Sequence, residues 1–243
     1  MKVTIHQPNY FPYPGLFHKL SLSDVFVVMD DVKFQFDITN RNKIIGKNEK
    51  WQRITVPVKK NQTHKKIMDV EINNTISWRE ENFSKLCEVY DSSKFFHIYK
   101  EYFKNIYEKK WEMLVDLNLE TLKKTIEWLG IKIQIIKESE LNVSGDASER
   151  LVNICELMNA DTYVSGIGGK NYLKEELFEE KNIKLQYQDY VPLKYKQNLS
   201  DKFISNLSII DLLANNGNDE SLKIIKNSNN LEKKDDNVEE ISY

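Results

Sequence analysis

Apolar and polar positions along this chain switch between a period of two and a period near 3.6, and the switches predict its elements. Lys2 to Ile5 reads as a short strand. The stretch His6-Gln7-Pro8-Asn9-Tyr10-Phe11-Pro12-Tyr13-Pro14-Gly15 cannot extend it, because its prolines lack the ladder donor. Leu16 to Leu20 then has helical character, and Val25 to Met29 is an unbroken apolar run suited to a strand covered on both faces. Strand, loop, helix, strand is a βαβ unit, whose functional loop lies at the carboxyl edge of the sheet. Ile54 to Val58 and Ile67 to Ile72 are expected to form a hairpin excursion. Helices are expected over Trp78 to Tyr90, Phe95 to Tyr107 and Trp111 to Leu129, the last stopped by Gly130. Strand Ile131 to Ile136 follows, then a helix opened by a capping-box-like Asp146 and Glu149, with Leu151, Ile154, Cys155 and Met158 on one face. Strand Thr162 to Ser165, a helix from about Tyr172 to Glu180 and strand Ile183 to Tyr187 complete the alternation. Leu207 to Leu213 reads as a compact helix stopped near Gly217, and from about Asn227 the chain is polar and expected to be loose.

The pattern predicts an α/β fold with a mainly parallel sheet of Rossmann-like or nucleotidylyltransferase-like type. Residues 1–75 and 131–217 would form the core, 76–130 a helical insertion and 218–243 a polar extension. Composition supports a folded, helix-rich domain: of 243 residues, 40% are hydrophobic, and Gly 8 with Pro 5 is too few for a turn-dense all-β design. A net charge of −2 leaves no global field of the kind that marks a DNA-binding or membrane-surface protein. Charge is nevertheless concentrated: Lys33 to Lys66 holds ten basic side chains against Asp37 and Glu49. Cys87 and Cys155 lack metal or disulfide spacing, and no apolar run reaches membrane-spanning length, so a cytoplasmic protein without membrane insertion is expected.

Four constellations could carry chemistry. In the first, His6, Gln7, Asn9 and Tyr10 follow the first strand, and His18 and Lys19 open the helix after Gly15. Imidazole, amide and helix N-terminus together suit a phosphate or carboxylate; the bland alternative is a stiff loop bonded to its own carbonyls. Asp30 and Asp31 end the second strand, as a general base, a hydroxyl acceptor, a Mg²⁺ ligand beside a nucleotide, or merely an acidic turn. Asn40, Arg41 and Asn42 with Trp51 suit a pyrophosphate or carboxylate clamp, since arginine offers a bidentate, non-titrating fork. Ser165, Gly166, Gly168 and Gly169 form a glycine turn straight after a strand, implying positive φ or a ligand against the main chain. The turn matches neither the Walker loop nor G-x-G-x-x-G. No cluster has metal-ligand spacing, so no resident metal or certain cofactor is expected.

The motifs His6-Gln7-Pro8-Asn9-Tyr10-Phe11-Pro12, Gly15-Leu16-Phe17-His18-Lys19, Asp30-Asp31-Val32-Lys33-Phe34, Asn40-Arg41-Asn42, Tyr163-Val164-Ser165-Gly166 and Leu207 to Leu213 resemble the WbqC-like family. The resemblance implies a place in bacterial O-antigen, lipopolysaccharide or related surface-glycan biosynthesis. It further implies an enzyme, an N-acyl or aminoacyl transferase that modifies the amine of a nucleotide-linked amino sugar. Its partners would be that sugar and an activated amino acid or acyl donor, and a homo-oligomer is compatible with it. The residues themselves leave open a nucleotidylyl-transferring or ATP-activating enzyme and a non-catalytic nucleotide-sugar-binding subunit. His6, His18 and Arg41 are expected to converge in one cationic cleft, with Asp30 or Asp31 orienting the amine.

Overall fold

The structure is a computed structural model that describes residues 1–145 and 147–228. Strands β1 (Lys2–His6), β2 (Val25–Val28), β5 (Gln134–Lys137), β6 (Thr162–Ser165) and β7 (Lys184–Tyr187) form a five-stranded sheet in the order β5-β2-β1-β6-β7. Every pairing in it is parallel. Numbered along the chain, the strands of this sheet run 3-2-1-4-5, the order of a Rossmann-type half with its extension. The order reverses between β1 and β6, and at such a switch point the loops leaving the two strands diverge and open a crevice.

Alternation across the pleat assigns the two faces. Val3, Ile5, Val25 and Val27 point to one side, where they pack with α5 (Ala147–Leu157) and α6 (Glu175–Glu180). Phe26 and Val28 point to the other. There they join one continuous apolar cluster with α1 (Pro14–Ser21), α2 (Trp78–Tyr90), α3 (Phe96–Glu108), α4 (Leu114–Trp128) and α7 (Ile209–Lys226). The aromatic stripe of α3 is core: Phe96, Tyr99, Phe103 and Tyr107 are buried. Cys155 packs in the apolar layer under the sheet, and burial pushes its thiol up to about 12, an inert state.

Two expectations need correction. The hairpin joins β3 (Arg41–Ile45) to β4 (Trp51–Thr55), not residues 54–58 to 67–72. Its connection is Gly46 to Lys50, where Asn48 and Glu49 both take φ 56, as a tight primed-type turn demands. Pro57 cannot donate and closes that strand, while Ile67–Asp69 is a short 3-10 turn and only the Val58–Ile72 bridge links the two stretches. The second correction concerns Gly217. Its φ of 73 does interrupt the helix, and a Cβ there would lie 3.0 Å from the Phe95 ring. Yet a second helical segment continues to Lys226, with Ser221 and Ile225 buried. Asp146 and the expected loose tail beyond Ser228 lie outside the described residues.

Candidate functional site

Where β1 and β6 part, a cavity of about 420 Å³ opens at the carboxyl edge of the sheet. His6 at the end of β1, Gly15 and Lys19 on α1, and the turn Ser165 to Gly169 after β6 line it. His6 donates from Nδ1 to the Gln7 carbonyl at 2.9 Å, which leaves Nε2 as an acceptor. Burial, with the Lys19 charge beside it, pushes the His6 imidazole down to about 3, so the ring is neutral at physiological pH. Lys19 is buried, and its Nζ donates to the Ile5 carbonyl at 3.3 Å. It forms no ion pair with any described residue, and burial pushes its ammonium down to about 7. An amine that exchanges its proton near neutrality, beside a neutral imidazole, is equipped for acid–base work.

His18 does not reach the cavity. Its Nδ1 accepts from Gln188 Nε2 at 2.9 Å, and the same amide donates to the Gly15 carbonyl at 2.6 Å. Helix geometry explains this, because adjacent residues of α1 point about 100° apart, and Lys19 takes the direction of the cleft. His18 instead fixes Gln188, which does line the cavity. The glycine turn is also built differently from expectation. None of Gly166, Gly168 and Gly169 has positive φ. A Cβ on Gly169 would fall 2.2 Å from Ser165 Oγ, so that position needs glycine for packing. Gly166 and Gly168 face open space, leaving their main chain accessible from the cavity side.

The opening loop is held rather than free. Phe11 sits at φ 42, a strained state for a bulky residue, and its carbonyl accepts from Asn42 Nδ2 and Ser208 Oγ, both at 2.8 Å. Asn118 Nδ2 donates to the Pro8 and Thr39 carbonyls, Asn40 Nδ2 to the Val56 carbonyl, and the Tyr10 hydroxyl meets that of Tyr107 inside the core. Thus Tyr10 and Asn40 brace the scaffold, and the amide nitrogen of Asn42 does the same. Gln7 serves through its carbonyl.

Asp30 and Asp31 lie outside the cavity. Asp30 is buried and accepts from the Ser139 N–H at 2.9 Å and hydroxyl at 2.8 Å, tying β2 to the turn after β5. Asp31 pairs with Lys66 and, at 3.0 Å, with Arg150, which also bonds the buried Glu138. These bonds hold the Asp31 carboxyl below its usual range against the effect of burial. The carboxyl edge of a parallel sheet is longer than one site, and β2 opens at its other end.

Arg41 lines a second cavity of about 520 Å³ with Asn9, Asn42, Lys43 and Arg53. The expected convergence of His6, His18 and Arg41 in one cleft therefore does not occur. Instead the two cavities are neighbours, with Tyr13 and Asn206 lining both. Trp51 stands on the outer hairpin, its ring 4.8 Å from Lys43 Nζ and 4.7 Å from Arg53 Cζ. Sequence reading missed Tyr13, Gln188, Tyr190 and Asn206 as cavity walls. Gln188 and Tyr190 follow β7, and a residue just past a parallel strand is the signal that could have found them. Among the described residues no group of three His, Cys, Asp or Glu is placed to hold a metal ion, and no helix is long and apolar enough to cross a membrane.

The chain is 32% identical over 219 residues to "Uncharacterized protein Rv1507c" of Mycobacterium tuberculosis (strain ATCC 25618 / H37Rv), covering 89% of this chain and 94% of that protein. No solved structure matches significantly. The pattern of the WbqC-like protein family matches residues 7–223, from the loop after β1 into the last helix, and the chain belongs to that family.

Proposed function

We propose that the protein transfers an acyl or aminoacyl group, glycyl for example, to the amine of a nucleotide-linked amino sugar in surface-glycan biosynthesis. The observation that carries this reading is the pair Lys19 and His6 at the switch-point cavity, one amine titrating near neutrality beside one neutral imidazole. A sugar amine attacks the donor carbonyl only as the free base. As its C–N bond forms, the carbonyl becomes an oxyanion, and collapse expels the donor's leaving group with the bonding pair. The proton shed by the amine passes to a base. Lys19 Nζ is the better base of the pair near pH 7, and His6 Nε2 orients the attacking N–H. The open main chain at Gly166 and Gly168 supplies donors for the oxyanion. The test is mass spectrometry of reactions containing purified protein, a panel of nucleotide-linked amino sugars and activated amino acids. One acyl increment on the sugar is expected from wild type and a strongly reduced yield from Lys19→Met. No acylated sugar from folded wild-type protein across the panel overturns the reading.

The 3-2-1-4-5 strand order favours a second reading, nucleotidylyl transfer or ATP-dependent activation, because sheets of this order seat nucleotides at the same switch point. Pyrophosphate release that requires ATP and Mg²⁺ would select it over the first.

A further inference from the structure

We propose that the hairpin cavity is a diphosphate subsite, so that the substrate spans two compartments, its phosphates against β3 and β4 and its reacting end in the sheet-end cleft. This rests on the nucleotide-linked substrate inferred above but on different residues. The sequence concentrates ten cations between Lys33 and Lys66, and the fold sets seven of them apart in two groups, Lys33, Lys50 and Lys60 joining neither. Lys47, Lys59, Lys65 and Lys66 pair with carboxylates of Glu88, Glu71 and Asp31. Arg41, Lys43 and Arg53 pair with no acid among the described residues, and all three gather on one cavity. The acid beside them, Asp37, spends Oδ1 on the Thr39 N–H at 2.8 Å.

The cations are held in place without being neutralised. Arg41 Nη2 donates to the Phe36 carbonyl at 2.7 Å, and Lys43 and Arg53 lie against the Trp51 ring. The strand register sets Lys43 directly opposite Arg53, and like charges facing one another across a ladder are unfavourable. A bound dianion removes that repulsion, and guanidinium forks match phosphate oxygens. Asn9 lines the same cavity, with its amide buried and both Oδ1 and Nδ2 lacking a partner among the described residues. Buried amides are rarely left so, and this one lies in the wall of the cavity. The sheet-end cleft offers a dianion far less. Its one cation among the described residues is Lys19, which is partly neutral near pH 7.

Calorimetric titration of the full chain with inorganic pyrophosphate tests the assignment, with malonate as a carboxylate control. Binding that weakens with salt, falls about tenfold or more in Lys43→Gln/Arg53→Gln and in Arg53→Gln alone, and persists in Lys19→Met is expected. Thermal unfolding checks that the variants fold, and both hairpin positions reach solvent. Pyrophosphate affinity that ignores the hairpin substitutions, or that disappears in Lys19→Met, overturns the subsite, as does malonate binding as tightly as pyrophosphate. The two proposals fail separately. Hairpin-dependent pyrophosphate binding without any acylated sugar leaves the subsite and removes the transfer. Transfer by Lys43→Gln/Arg53→Gln at unchanged KM does the reverse.

Discussion

The sheet-end cleft and the hairpin cavity share Tyr13 and Asn206 yet treat charge in opposite ways. In the cleft, burial strips charge: Lys19 falls to about 7 and His6 to about 3. On the hairpin, Lys43 and Arg53 lie against the Trp51 ring and Arg41 bonds the Phe36 carbonyl, none of the three paired with an acid among the described residues. Depressed proton affinity suits proton transfer, and retained charge suits holding an anion. On the proposed reading, the contrast assigns chemistry to one cavity and anion binding to its neighbour.

The largest effect that could break this contrast is expected at Lys19. Lys19→Met removes the proposed base and should lower transfer by about 10²- to 10⁴-fold, the usual worth of a positioned proton acceptor. The same change replaces a buried charge by an apolar chain of similar length. Urea unfolding at pH 7 should therefore show a gain on the order of 3 kcal/mol. A variant that is both destabilised and active would return Lys19 to a purely structural role.

The pH dependence of stability follows from the same group. The unfolded chain binds a proton at Lys19 up to about pH 10.5, while the folded protein releases it near 7, so the unfolded state holds more protons between those values. Stability should rise through that window, by at most about 1.4 kcal/mol per pH unit from this group. Below about 7 the penalty is fully present, and above about 10.5 it vanishes. The advantage of Lys19→Met should shrink accordingly as pH rises, and parallel curves for the two proteins would contradict a depressed lysine. His6 acts in a lower window. Its lowered affinity makes stability fall as pH drops from about 6.5 to about 3, and His6→Asn should flatten that limb.

Asp30→Asn probes the far end of the same edge. One amide replaces a carboxylate that accepts two bonds from Ser139, so a loss of about 1–3 kcal/mol in unfolding free energy is expected. Pyrophosphate affinity and transfer per folded molecule should be untouched, and a selective loss of turnover would bring Asp30 back into the site. The smallest stability effect belongs to Gly168→Ala. Its φ is not positive and a new Cβ meets nothing, so a change within about 0.5 kcal/mol is expected. A weakened affinity for the amino sugar, read by calorimetry, would show that substrate presses against that main chain.

How much was legible follows from range. Val25–Val28 announces itself as a uniformly apolar run, as a strand buried on both faces favours, and Thr162–Ser165 by Thr, Tyr and Val just ahead of the glycine turn. Trp78–Tyr90 was legible to its ends, through its length and flanking turn residues. The hairpin was not, since Arg41–Ile45 begins with polar residues and its partner is chosen by tertiary pairing rather than by propensity. Site residues divide in the same way. His6, Lys19 and the Ser165 to Gly169 turn were legible because parallel strands deliver their loops to one edge. Asp30, Asn40 and Tyr10 carry the same polar groups as a ligand site and sit in the same motifs, yet they bond the scaffold.

By itself the sequence determined the βαβ alternation, the switch-point loops and the store of cations between Lys33 and Lys66, since each is written in local pattern and composition. Only the tertiary structure decided which cations stay unpaired, that His18 backs Gln188 while Lys19 faces the cleft, and that two cavities stand where one was expected. The reason is that desolvation and pairing depend on neighbours far along the chain, such as Glu71 to Lys59 or Gln188 to His18, whose approach no local pattern encodes.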